Sequence, residues 1–302
     1  MKLSLGTAQF GSDYGITNTQ GVSSEHDVNC VLSMFFEAGN SFLDTAQEYG
    51  DAHKKISQWR KKEYLSLSND INVTTKIYIR NKKDIESFSC NVINICFGLG
   101  LKSLYGILVH NPSDLKDKES CQQLNHQFNL LKEQGVVKKT GISVYEPLEI
   151  LNLYDNLSVT EIDLIQCPVN ILDQRFLDPE IQDFCGRNNI EIHGRSLFLQ
   201  GLLLIKDIPK HLENSEVRLS LKRYKDFLIL NNLEPLEACC LFAHQHQDKI
   251  DRWVIGFNLP RELQEFLMQI NNTDILSEVC FDDFKNKNCY IDPRTWEYAR
   301  SC

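Results

Sequence analysis

Four polar residues of this sequence could carry chemistry together. Asp44 and Tyr49 lie in FLDTAQEYG (42–50), past a short apolar run. Lys76 sits in the β-branched run INVTTKIY (71–78), and His110 ends YGILVHNP (105–112). A phenol beside an ammonium is a specific chemical device. Free phenol titrates near pH ~10 and is a poor proton donor at neutral pH. A neighbouring ammonium favours phenolate, lowers that pKa and eases proton release. A carboxylate keeps the lysine charged and oriented, and a neutral histidine can position a carbonyl oxygen or relay the proton. The set suits reduction of a carbonyl, in which hydride reaches carbon while Tyr49 protonates oxygen. No side chain donates hydride, so this chemistry calls for a cofactor. The set has no evident nucleophile–base pair for acyl transfer. Asp44 and Glu48 share one loop, a poor placement for carboxylates meant to flank a sugar.

The elements that must position these residues alternate in type. Short apolar runs at 2–6, 41–43, 71–77, 105–109, 139–144, 163–166, 190–192 and 253–255 read as strands. Helical spacing fills the gaps. Ser23–Ser24 cap a helix carrying Val28, Val31, Leu32 and Phe35, with Asp27 as a near capping box and Gly39 as its stop. Further helices are expected at 53–60, 84–101, 117–135, 147–154, 178–187, within 214–246 with a break near Pro235, and from Pro260. Eight β–α units in one chain of 302 residues predict a closed (β/α)₈ barrel, a single domain over 1–302. Parallel barrels build sites at the C-terminal strand ends, where Asp44, Lys76 and His110 fall. A doubly wound sheet would want GxGxxG after its first strand, and the run Gly6 to Gly11 does not match it. The segment 274–302, acidic and then aromatic, is expected to fold over the barrel mouth.

Composition narrows the class. A net charge of −9 argues against a general binder of nucleic-acid backbones, although a local pocket can still oppose the global sign. No run approaches a membrane span. Eleven scattered cysteines, without CxxC pairs or Cys/His clusters, predict free and partly core-filling thiols in a reducing cytoplasm, and no metal. His26, His53, His126, His211, His244 and His246 read as surface or helix residues. Lys54–Lys55, Arg60–Lys62 and Lys82–Lys83 read as solvated helix faces, and Trp59, Trp253 and Trp296 as packing or lid residues.

These residues lie in motifs whose order resembles the aldo-keto reductase family along nearly the whole chain. FLDTAQEYG resembles the family's DTAxxYG. LGTAQFGSDYGITN, TTKI, LVHNP, GISVYEP, IQCPVNILDQR, RSLFLQGLLL and VIGFNLPRELQEF resemble its other strand ends. The resemblance implies Tyr49 as proton donor, with Asp44, Lys76 and His110 completing a tetrad. It implies NADP as cofactor, with NAD possible, bound across the barrel mouth. Ser143, Gln166 and Asn170 would hold the nicotinamide carboxamide. Ser196, Phe198 and Gln200 would wrap the pyrophosphate, partly through backbone N–H groups. Gly256, Asn258, Arg261 and Glu262 would border the adenosine phosphate, and Gly6, Thr7 and Asp44 would complete the contacts. Asp13, Tyr14 and Trp296 are expected pocket walls.

Three departures from the family pattern involve four positions. Val144 replaces a common Asn. Arg195 replaces an aromatic that stacks on the nicotinamide; a guanidinium plane can stack there or meet an anionic group. Asn258 and Glu262 stand where NADP-preferring members carry Arg or Lys, leaving Arg261 as the basic residue there. Within the family the sequence is similar to bacterial reductases of surface-polysaccharide and nucleotide-sugar pathways, which implies a keto-sugar or sugar-derived aldehyde as substrate. The expected partner is thus a small carbonyl compound, not nucleic acid or membrane, with the chain a monomer or small homo-oligomer. The alternative is a nicotinamide-binding regulatory or scaffold subunit, like the family's potassium-channel β-subunits.

Overall fold

Parallel strands cannot be joined by hairpins, so each apolar run must be followed by a crossover. Helices supply those crossovers in a computed structural model that describes residues 1–63, 71–115, 117–155, 157–209, 212, 215–271, 279–285 and 292–293. The strands are β1 (Leu3–Gly6), β2 (Phe42–Asp44), β3 (Asn72–Ile77), β4 (Leu104–Val109), β5 (Val137–Ser143), β6 (Leu164–Pro168), β7 (Glu191–Arg195) and β8 (Arg252–Gly256). Each pairs in parallel with the next, and β8 closes on β1 with Leu3 opposite Trp253 and Gly6 opposite Gly256. Closure leaves no free sheet edge.

The helices are α1 (Ala8–Gly11), α2 (Glu25–Glu37), α3 (Ala52–Glu63), α4 (Lys82–Glu86), α5 (Phe88–Leu99), α6 (Lys118–Glu133), α7 (Pro147–Asp155), α8 (Pro179–Arg187), α9 (Ser215–Leu230), α10 (Pro235–Gln245) and α11 (Pro260–Asn271). The cap read from sequence at Ser24 forms, its side chain accepting from the Asp27 N–H at 3.1 Å, and two further caps appear at Asp117 and Asp178, on α6 and α8. The helix expected over 84–101 is instead two. A capping box between Asn81 and Asp84 starts α4 early, and Ser87 ends it and opens α5. The short helix α1, inside the expected first loop, was not foreseen either.

Most cysteines fill the core: Cys96, Cys121, Cys167, Cys185, Cys239 and Cys240 are buried, and all nine among the described residues are free thiols. Burial raises the Cys185 and Cys239 thiols to about 12, so they stay protonated and inert. Trp59 and Trp253 are packing residues, both fully buried. Trp296 and His211 lie outside the described residues. Of the C-terminal tail, Phe281 and Phe284 are buried against Phe227, and Asp292 and Pro293 reach the cleft at the barrel mouth. Among the described residues no helix is long and apolar enough to cross a membrane, and no cluster suits a metal ion.

Candidate active site

The loop after β2 is stitched to β3 by continuing its ladder: Thr45 N–H donates to the Thr74 carbonyl at 2.9 Å and Gln47 N–H to the Lys76 carbonyl at 3.0 Å. A turn then closes from Tyr49 N–H to the Ala46 carbonyl, and the Tyr49 carbonyl receives the first N–H of α3, from Ala52. Behind this turn Gly11, at the end of α1, touches the backbone of residues 49–51. A Cβ on Gly11 would fall 1.9 Å from the Tyr49 carbonyl oxygen, and one on Gly50 would fall 2.2 Å from the Gly11 oxygen. Only glycine at both positions permits this approach. Thr7 fixes the end of β2 from the other side, donating through both N–H and hydroxyl to the Asp44 carbonyl at 2.9 Å.

The four residues singled out from sequence meet at the C-terminal strand ends. Lys76 Nζ donates to Asp44 Oδ2 at 2.6 Å, and both side chains are almost wholly buried. The same ammonium lies 5.3 Å from the centroid of the Tyr49 ring. The Tyr49 and His110 rings pack edge to face, 6.2 Å apart. Two contacts were not anticipated. Gln166 donates to the second Asp44 oxygen at 2.7 Å, so this carboxylate is held from both sides. Tyr78, two residues past Lys76, stacks on His110 at 4.3 Å.

Burial governs the protonation states. It pushes the Tyr49 hydroxyl well above the ordinary phenol range; Asp44 adds to this, and Arg195 opposes it. Sequence reasoning anticipated a fall under the influence of Lys76; burial and Asp44 raise the group instead. Tyr49 therefore stands as a protonated group. Burial lowers Lys76 from its ordinary value, against the pull of Asp44. It lowers His110 to about 3, helped by the Lys76 and Arg195 charges, so His110 is neutral near pH 7. His110 Nδ1 is buried without a hydrogen-bond partner.

The expected cofactor residues divide. Tyr14, Asn170, Arg195, Ser196 and Gln200 line one cleft, with Tyr145, which was not singled out from sequence. Its ring carries the Arg195 guanidinium at 3.9 Å. Ser143 ends β5 opposite Gln166. The Asn170 carbonyl accepts the N–H groups of Leu172 and Asp173 at 2.9 and 3.0 Å, while its amide donates to the Ser196 carbonyl at 3.2 Å. Asn170 thus shapes the β6 loop, keeping one N–H in reserve. Past β7, Ser196, Leu199, Gln200 and Gly201 all have positive φ, between 48° and 91°. Three of these are not glycine, a strained curl of the kind found at ligand clamps. Phe198 turns away from the cleft to pack on Phe266.

At the head of α11, the Glu262 carboxylate accepts from the N–H groups of Asn258 and Leu259 at 2.7 and 3.2 Å. Asn258 also donates to Asn18 at 2.7 Å, which joins the β8 loop to the β1 loop. Arg261 is exposed and pairs with Glu265. Asp13 is exposed and accepts from Asn18, so it serves that loop rather than the cleft wall. Lys55, expected on a solvated face, instead ties the Phe10 and Ser23 carbonyls at 2.7 and 2.8 Å.

A closed parallel barrel with a buried ion pair, a phenol and an imidazole at its C-terminal rim has the layout of a barrel enzyme. The sequence pattern of the Aldo/keto reductase family matches residues 2–278, and the chain belongs to that family. Among solved structures it is similar to an aldo-keto reductase from Bacillus halodurans in its holo form: TM-score 0.72, 17% identity, covering 96% of this chain and 93% of that one. It is also similar to a Pseudomonas aeruginosa protein assigned to the aldo-keto reductases, with TM-score 0.62, 15% identity and 90% of each chain covered. At these identities the likeness concerns the fold. No curated protein sequence matches the chain. Family and fold together support an oxidoreductase acting on carbonyl compounds.

Proposed function

We propose that the protein reduces an aldehyde or ketone to an alcohol with a nicotinamide dinucleotide, Tyr49 giving the proton to the carbonyl oxygen. The observation that carries this reading is the buried Lys76–Asp44 pair beneath the Tyr49 ring, with neutral His110 against its edge. The dinucleotide supplies the hydride. The chain's residues do the rest. Asp44 and Gln166 fix the lysine, and the ammonium lies under the phenol that must carry negative charge once its proton leaves. Neutral His110, clamped by Tyr78, can donate to the same carbonyl oxygen without competing for the proton.

The strained curl at 196–201 and the open edge of the cleft suit a diphosphate, and Ser143 with the remaining N–H groups of Gln166 and Asn170 suits a carboxamide. Glu262 bears on the choice of dinucleotide. Its carboxylate covers the amide groups at the head of α11, which would otherwise favour a phosphate. This supports NADH over NADPH, against the usual preference that the resemblance implies.

The test is turnover with each dinucleotide, followed by loss of reduced-nicotinamide absorbance. In Tyr49→Phe the rate should fall by about 10²–10⁴-fold, while the dissociation constant for the dinucleotide, read by tryptophan fluorescence, stays unchanged. Wild-type turnover in that variant would refute the assignment. Tighter binding of NADPH than NADH would refute the part given to Glu262.

A further inference from the structure

Two guanidinium groups line the cleft at the barrel mouth, and their surroundings differ. Arg175 is paired with two carboxylates. Its Nε and Nη2 donate to the two oxygens of Asp173, each at 2.8 Å, and Glu146 lies 2.5 Å from its Nη1. Arg195, at the end of β7, has no carboxylate partner among the described residues. It donates to the Val144 carbonyl at 3.3 Å and the Ser196 hydroxyl at 3.4 Å, and lies over the Tyr145 ring. These partners are neutral. Charges drawn into a protein are normally paired, because losing hydration is costly. Here the Lys76 charge is met by Asp44 and His110 is neutral, so among the described residues Arg195 is the cation of the site with no carboxylate bonded to it; Asp292 lines the same cleft without an ion pair to it.

The group is also held in one pose. Stacking on Tyr145 fixes the guanidinium plane, and two of its five N–H donors are engaged. The others leave an open fork of the shape that carboxylate and phosphate oxygens accept. Arg195 ends β7 beside β6, whose Gln166 holds Asp44, and its charge acts on Tyr49, His110 and Lys76 alike, so an anion bound there is on the same rim as the proton donor. Tyr14, Tyr145 and Ser196 on the same cleft offer neutral hydrogen bonds around it.

We propose that Arg195 recognises an oxyanion group, carboxylate or phosphate, carried by the carbonyl substrate a few bonds from the reacting carbon. The proposal rests on the reductase reading and gives it a substrate class: anionic aldehydes and ketones.

The experiment compares pairs that differ in charge. 4-Carboxybenzaldehyde is set against methyl 4-formylbenzoate, and glyceraldehyde 3-phosphate against glyceraldehyde, each with wild type, Arg195→Gln and Arg195→Lys. The wild type should prefer the charged member of at least one pair by about 10- to 100-fold in kcat/KM, the range expected for hydrogen bonds to a charged group. Whichever pair shows it identifies carboxylate or phosphate. Arg195→Gln should bring that ratio to near one, and Arg195→Lys should keep part of it. A wild-type ratio near one in both pairs would overturn the proposal. So would a ratio that persists in Arg195→Gln while dinucleotide binding weakens, since Arg195 would then face the cofactor's own phosphates. If neither pair is turned over, calorimetry with terephthalate and inorganic phosphate separates the two readings. Binding lost in Arg195→Gln would keep the anion site and remove the reductase assignment, and no binding to wild type would remove both.

Discussion

Replacing Asp44 with Asn keeps the shape of the side chain and removes its charge. The amide oxygen can still accept from Lys76, and Gln166 can turn its amide to match, so the hydrogen bonds survive. What remains is a buried ammonium without its counter-ion. Breaking a buried pair from one side costs roughly 3–5 kcal/mol. The loss has a ceiling, because Lys76 can release its proton. From an ordinary value of 10.5, neutralising it at pH 7 costs about 5 kcal/mol, and at pH 9 about 2 kcal/mol, at ~1.36 per pKa unit. With an unfolding entropy of ~2.1 cal/mol/K per residue, the whole chain has ~0.6 kcal/mol/K, so these ceilings correspond to about 8 °C and 3 °C in Tm. The sign follows from proton counts. In the variant the unfolded chain holds the lysine proton and the folded chain does not, so its stability rises with pH. Thermal unfolding of wild type and variant at both pH values is the assay. A deficit that shrinks from pH 7 to pH 9 is expected. An equal deficit at both, or none, would refute the view that this pair is buried and charged.

Two further outcomes are expected. At the opposite end of the barrel, Glu191 accepts from Tyr105 at 2.7 Å, Lys139 at 2.8 Å and His193 at 3.1 Å. Burial pushes its carboxyl up, but the bonds from His193, Lys139 and Tyr105 outweigh it and hold the group far below the carboxylate range. Glu191→Gln should cost about 2 kcal/mol in denaturant unfolding and leave kcat/KM unchanged; a change in activity would mean that the two ends are coupled. His53 and His246 are held near 4 and His110 near 3, in each case first by burial. Between those values and ~6.5 the unfolded chain binds more protons, so stability should fall as pH drops from 7 to 5, by about 1 kcal/mol per histidine after solvent screening. Unfolding curves at the two pH values check this.

Much of the site was legible because a parallel barrel converts sequence position into spatial position: a residue at the end of an apolar run arrives at the rim. Asp44, Lys76 and His110 could be placed together on that rule alone, and Tyr49 through its short loop. What stayed hidden depends on which way a side chain turns. Gln166 reaches Asp44 across 122 positions of chain, and nothing near either residue announces the bond. Tyr78 and Tyr145 lie one and two residues past strand ends, where an aromatic reads equally as packing. The early start of α4 was lost because the hydrophobic spacing of α5 is stronger than the polar cap at Asn81. Lys55 looked solvated because its partners are main-chain oxygens, which have no sequence signature.

The back-to-back contact of Gly11 with residues 49–51 has a consequence for how such a barrel can diversify. Rim loops are commonly thought of as separable parts, each open to exchange on a constant frame. Here the loop that would shape the substrate's surroundings and the loop that presents the phenol share a surface with no side chain between them. A graft replacing one alone would meet the other backbone first. In recombination between relatives, the crossover that preserves the proton donor lies beyond residue 51, so that both loops come from the same parent.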